Sequence, residues 1–178
     1  MRHLSILLLA LLLCLALPCF CAADGVEIGA LVPQPMVPAA EELPLDLYCG
    51  PTQGFYRHNE QTIDAGKPYV YFGQYDCWAM VAQGTPEAFG PVGWVEAGFL
   101  TDLPAEPQLA FEDGLQVTVE DEAVLTNDPM NPDAEIIVRI VPGTVVTLLA
   151  AYGDYAYVQA EFSDIAPVRA FIPMSAVE

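Results

Sequence analysis

The sequence contains very little positive charge. Its 178 residues include five Lys and Arg and two His against 24 Asp and Glu, so the formal net charge at pH 7 is −19. A surface this acidic repels phosphate backbones and anionic lipid or wall polymers. Nucleic acid is therefore excluded as a partner, whereas cationic partners or divalent ions are favoured.

Long apolar runs are also scarce, and the only one lies at the N-terminus. Residues 4–17 carry no charge. They lie between Arg2 and Pro18, and the small residues of Cys21-Ala22-Ala23 follow. This order is typical of an export signal, and the run is shorter than the ~20 residues of a spanning helix. We predict a cleaved signal peptide at residues 1–23, and a secreted, extracellular or cell-envelope protein with no membrane span after cleavage.

A retained anchor and lipidation of a cysteine in this segment are the alternatives. Leu13, Pro18 and Phe20 precede Cys14, Cys19 and Cys21, and none of these preceding residues is small. Cleavage after Ala23 would remove Arg2 and no acidic residue, which takes the net charge to −20.

Cysteine and histidine are rare in the rest of the chain. Beyond residue 23 only Cys49, Cys77 and His58 remain, too few for a zinc site, which needs several clustered ligands. Two cysteines in an exported chain predict a Cys49–Cys77 disulfide. The alternative is two separate buried thiols.

Catalytic and metal-binding patterns are weak. Asp76-Cys77 with His58 suggests a thiol hydrolase, but Trp78 follows Cys77 in a strand-like run where a nucleophile would open a helix. Calcium would need several oxygen ligands in one loop, and we expect a polar turn instead because two prolines interrupt the candidate set, Asn127, Asp128, Asn131 and Asp133. We predict no catalysis, no metal and no cofactor.

The rest of the chain alternates between linker-like segments and strand-rich segments. Residues 24–44 are rich in proline and acid and predict a linker. Residues 45–100 and 122–178 contain short runs of aromatic and β-branched residues bounded by turn residues, which predict strands. Residues 101–121 predict a second, acidic linker with one possible strand at residues 115–119.

The two strand-rich regions are related by a displacement of 77 residues. Gly66 then corresponds to Gly143, and Trp78 to Tyr155. Gly93-Trp94-Val95 corresponds to Ala170-Phe171-Ile172. A fixed period indicates a duplicated domain, and five short strands in ~55 residues can enclose a core only by curling into a small barrel.

The first region resembles the bacterial SH3 domain family. The resemblance rests on Tyr48-Cys49-Gly50-Pro51, on Tyr75-x-x-Trp78-Ala79-x-Val81 and on Gly93-Trp94-Val95. The second region departs from the pattern, because Asn127-Asp128-Pro129 replaces the Gly-Pro turn. The resemblance implies an all-β protein with two SH3-like barrels in tandem.

The same resemblance implies a binding function. In SH3-like barrels the loops frame a peptide groove, which here makes Phe55, Tyr56, Tyr75 and Trp78 the candidate binding residues; alternatively, these aromatics only cover the barrel ends. The leading hypothesis is a non-catalytic module for peptide, protein or cell-wall stem peptide. The alternatives are a secreted structural accessory or inhibitor without a groove, and a hydrolase.

Overall fold

The computed structural model describes residues 28–36, 44–64, 66–111 and 114–177. This part of the chain is all-β, as predicted, and its two helices are short 3₁₀ turns, Ala97–Phe99 and Met174–Ala176. No helix there is long and apolar enough to cross a membrane. The strands are β1 (Gly29–Ala30), β2 (Gln34–Met36), β3 (Leu45–Tyr48), β4 (Arg57–Ile63), β5 (Tyr69–Tyr75), β6 (Trp78–Thr85), β7 (Ala88–Glu96), β8 (Leu115–Thr118), β9 (Ala123–Thr126), β10 (Ile136–Ile140), β11 (Val145–Tyr152), β12 (Tyr155–Ala160) and β13 (Val168–Pro173).

The strands form two sheets with the same internal order. The first sheet runs β2-β5-β6-β7-β3-β4, and the second runs β1-β11-β12-β13-β9-β10 with β8 also paired to β11. The sequence predicts two closed barrels, but within the described residues neither sheet closes on itself. The predicted signal peptide, residues 1–23, lies outside the described residues.

The displacement of 77 residues relates the two sheets in register as well as in order. Tyr75 pairs with Trp78 across the first hairpin and Tyr152 with Tyr155 across the second. The two 3₁₀ turns are separated by the same displacement. Gly66 and Gly143 both occupy turns with positive φ, 73° and 87°, a conformation that glycine adopts without steric cost.

The two sheets share a central apolar core. Trp94 and Phe171 are fully buried in it, as predicted, and the Trp94 Nε1–H donates a hydrogen bond of 2.8 Å to the Tyr157 hydroxyl. Val81 and Val158 are also fully buried, each in a separate core belonging to its own sheet. The central core therefore joins the two halves of the chain.

The two predicted linkers contain chain segments that pair with the sheets. We call residues 28–36 the first arm and residues 107–111 with 114–118 the second arm. In the first arm, β1 runs parallel to β11 of the second sheet and β2 antiparallel to β5 of the first. In the second arm, Gln108 forms a parallel bridge to Gln74 of β5, and β8 pairs with β11.

Each arm therefore contacts both sheets, which corrects the prediction of linkers at residues 24–44 and 101–121. The possible strand predicted at residues 115–119 corresponds to β8, which spans Leu115–Thr118. The remaining parts of the first predicted linker, 24–27 and 37–43, lie outside the described residues.

The contacts between the halves are reciprocal. The backbone N–H of Val92 donates to the carbonyl of Asn127 at 2.7 Å, and that of Arg169 to the carbonyl of Cys49 at 2.6 Å. Val92 and Arg169 are equivalent by the displacement of 77, and Cys49 and Asn127 by 78. The two halves therefore exchange backbone hydrogen bonds at corresponding positions.

Candidate functional site

The structure separates the four predicted binding aromatics. Phe55 and Tyr75 lie around Arg169 of the second half. Tyr56 packs against the core of the second sheet, and its backbone N–H donates to the Pro167 carbonyl at 3.0 Å. Trp78 lies in a groove on the first sheet. The four residues therefore do not form one groove.

Arg169 fills the space between three aromatic rings. Its guanidinium carbon lies 5.3 Å from the centroid of Phe55, 5.7 Å from that of Tyr75 and 5.2 Å from that of Phe111. Tyr75 and Phe111 are themselves stacked, with centroids 6.0 Å apart. These distances are typical of cation–π contacts. Phe55 and Tyr75, two of the four rings predicted to receive a ligand, thus contact a cation of the same chain.

The Arg169 side chain is tied to its own sheet as well. Its Nε–H donates to Gln159 Oε1 at 2.9 Å, and burial lowers the pKa of the guanidinium. Arg169 lies near the start of β13 in the second half and contacts Phe55 and Tyr75 of the first half, so the cluster connects the two halves.

Trp78 lines a surface groove of about 170 Å³, which we call the aromatic groove. Tyr48 and Trp78 form one wall as an edge-to-face pair with centroids 5.6 Å apart. Trp78 is only 7% exposed, whereas Phe99, at the edge of the groove, is 51% exposed. The remaining lining residues are Pro44, Leu45, Asp46, Gln53, Val95 and Glu96.

Two carboxylates give the aromatic groove its charge. Asp46 forms an ion pair with Arg57 at 2.6 Å, with both side chains nearly half exposed. Glu96 Oε1 accepts a hydrogen bond from Gln53 Nε2 at 3.2 Å. The groove therefore combines aromatic surface with carboxylates, an arrangement suited to apolar and cationic side chains.

The second sheet does not repeat this groove. By the same displacements, Asp46 corresponds to Val124, Glu96 to Pro173 and Phe99 to Ala176, and Tyr48 corresponds to Thr126. The carboxylates and the exposed aromatic ring are therefore features of the first half and not consequences of the fold.

The predicted Cys49–Cys77 disulfide is wrong: both residues are free thiols. Cys49 is buried at the end of β3, where it packs in the core of the second sheet, and Cys77 is exposed in the two-residue turn between β5 and β6. Burial raises the pKa of Cys49 to about 12. That thiol therefore stays protonated near neutral pH. Because only a thiolate acts as a nucleophile, Cys49 is unreactive there.

The residues considered for catalysis and metal binding have other contacts. Asp76 and Cys77 form a hairpin turn, and the side chain of His58 lies outside what the structure describes. Asp128 Oδ1 accepts hydrogen bonds from the backbone N–H groups of Met130 and Asn131, at 3.1 and 2.9 Å, and so closes a turn. Among the described residues no group of three or more His, Cys, Asp or Glu could hold a metal ion.

Tyr48, Glu96 and Phe99 are the groove residues that the sequence prediction missed. Tyr48 pairs with Trp94 of β7, and Glu96 pairs with Trp78 at the start of β6. One signal was available: Tyr48 and Trp78 both belong to the motifs that carry the SH3 resemblance. Comparisons with protein-family models, curated proteins and solved structures find no match for this chain.

Proposed function

We propose that this protein is an exported, non-catalytic binding protein built from two SH3-like units in tandem, and that it recognises a peptide or protein segment through the aromatic groove. The observation that carries this proposal is the pairing of the Tyr48–Trp78 wall with Asp46 and Glu96 in one concave surface. The shared strand order of the two sheets supports the tandem arrangement.

The charge of the protein narrows the range of possible ligands. With a net charge of −19 the whole molecule attracts cations at a distance, and its groove carries carboxylates as well. We expect a peptide in which an apolar or prolyl residue contacts Trp78 and Phe99 while a neighbouring Lys or Arg lies near Glu96. A cell-wall stem peptide would bind here only through its cationic diamino acid residue.

Binding of labelled peptides and purified cell wall to the chain lacking residues 1–23 tests the proposal. Proline-containing peptides with Lys or Arg are compared with the same peptides carrying Glu. We expect Phe99→Ala and Glu96→Gln each to weaken binding about fivefold or more, since loss of a central contact costs more than about 1 kcal/mol. The control is Ile165→Ala, which removes an exposed apolar side chain outside the groove.

The charge reversal of the peptide should abolish binding, and raising the ionic strength should weaken it. Equal binding of Lys and Glu peptides, or equal loss in Phe99→Ala and Ile165→Ala, would contradict the proposal. Failure of every peptide and of cell wall to bind would instead favour a structural accessory or inhibitor without a groove.

A further inference from the structure

A larger cleft lies between the two arms, away from the aromatic groove. Its volume is about 490 Å³, within the range of small-molecule sites. The first arm forms one wall through residues 29–32, and the second arm forms the other through residues 107–111. Phe72 and Leu149, equivalent residues of the two sheets, form part of the floor and are buried.

Among the residues that the structure describes, no charged side chain lines this cleft. The lining consists of aliphatic and aromatic residues, with Gln34 and Gln108 as its polar side chains. The chain as a whole carries 24 acidic residues. A charged ligand would lose its hydration in this cleft without finding a counter-charge, so charge complementarity selects an uncharged ligand.

The first arm also offers hydrogen-bonding groups of the backbone. Ala30 is the register partner of Ala151, and the Leu31 N–H donates to the Ala151 carbonyl at 2.8 Å. In a parallel pair the groups of alternate residues point to opposite sides, so the N–H and C=O of Ala30 point away from β11. Among the described strands β1 is the last in its sheet, and Ala30 is exposed and lines the cleft.

We propose that this cleft is a second binding site, for an uncharged and largely apolar small molecule that carries a carbonyl or amide group. Its apolar body packs on the accessible side chains of Val32 and Leu109 above the buried floor, and its polar group pairs with the backbone of Ala30. Because an arm bounds the cleft on each side, a compact molecule fits it better than a long extended chain. This site does not depend on the aromatic groove.

Nile red, a neutral apolar dye with a carbonyl group, is a direct probe of the cleft. We expect saturable fluorescence enhancement with one site per chain. Val32→Glu places a carboxylate in the cleft and should weaken binding at least tenfold. Val32 is 60% exposed, so the variant should keep its fold, which far-UV circular dichroism checks.

Val141→Glu is the matched control, because Val141 is 62% exposed and lies outside the cleft. It should leave dye binding unchanged, as should Phe99→Ala in the aromatic groove. Ala110→Trp, which fills the cleft from the second arm, should also weaken binding at least tenfold. Absence of saturable binding, or equal weakening by Val32→Glu and Val141→Glu, would overturn the proposal, while the peptide experiments would still decide the role of the aromatic groove.

Discussion

The two thiols differ in reactivity because their surroundings differ. Cys77 is exposed in a hairpin turn, whereas the pKa of Cys49 is raised to about 12 by burial. In the chain lacking residues 1–23 we expect one thiol to react rapidly with a disulfide reagent at pH 8, and two after denaturation. Cys77→Ser should abolish the rapid phase and Cys49→Ser should leave it intact.

Mass spectrometry of the non-reduced protein provides the second measurement. A mass two hydrogens below that of the dithiol would show that Cys49 and Cys77 form a disulfide, which would contradict the two free thiols.

The raised pKa of Cys49 also affects stability. An unfolded Cys49 ionises above about pH 8.5, whereas the folded one stays protonated up to about pH 12. This residue therefore lowers the free energy of unfolding as the pH rises between those two values.

Residue type alone predicts which side chains are buried better than it predicts which residues those side chains contact. Trp94 and Phe171 are large apolar residues in strand patterns, and both are buried. The environment of Phe55 and Tyr75 could not be predicted, because their cation is Arg169, which follows Tyr75 by 94 residues and belongs to the other half. Short-range patterns carry no information about such a contact.

Gly50 shows why the second half departs from the Gly-Pro pattern. A Cβ at Gly50 would overlap the ring of Phe55, so this position accepts only glycine while Phe55 holds its place beside Arg169. Asp128 stands at the equivalent position of the second half, where its carboxylate closes the turn through backbone hydrogen bonds. The same turn is thus stabilised in two different ways.

The strands of the two sheets and β8 of the second arm follow from the sequence, whereas the first arm does not. Alternating and β-branched patterns predict β5, β6 and β7 and their equivalents, because each strand has six or more residues and one or two buried faces. β1 and β2 have two and three residues, too few to show a period, and β1 pairs with a strand more than 100 residues away. Their proline-rich composition therefore resembled that of a linker.

Strands β7 and β12 are joined by a buried hydrogen bond between two side chains. Tyr157→Phe removes the acceptor of the Trp94 Nε1–H and leaves that donor buried without a partner. We expect a loss of about 1–3 kcal/mol in the free energy of unfolding, measured by urea denaturation. Trp94→Ala should cost about 3–5 kcal/mol, because it also leaves a cavity.

Trp94→Phe combined with Tyr157→Phe is the control for that contact. Since both polar groups are then absent, the double variant should lose less than the sum of the two single variants. Tyr155→Phe, on the same strand but without this hydrogen bond, should change stability by less than about 0.5 kcal/mol. Strict additivity in the double variant would show that the hydrogen bond does not couple the halves.

The two halves of the protein share the central core and both arms. The central core contains Trp94 from one half and Tyr157 and Phe171 from the other, and each arm begins on one sheet and continues on the second. Separation would expose these aromatic rings and unpair both arms. A unit of ~70 residues is only marginally stable even with its core intact.

Cleavage of the connection between the halves tests this dependence. Thr101 and Asp102 are exposed between the first 3₁₀ turn and the second arm, so a protease recognition sequence inserted between them can be cut in the folded protein. We expect the two fragments to elute together from a sizing column with unchanged circular dichroism. They should unfold in one transition whose midpoint rises with protein concentration, because joining two separate fragments is bimolecular.

The uncut insertion variant is the control, and the midpoint of its unfolding transition should not depend on protein concentration. Two fragments that separate and remain folded as monomers would show that the halves are independent domains, and that the exchanged arms and the shared core contribute little to the stability of either.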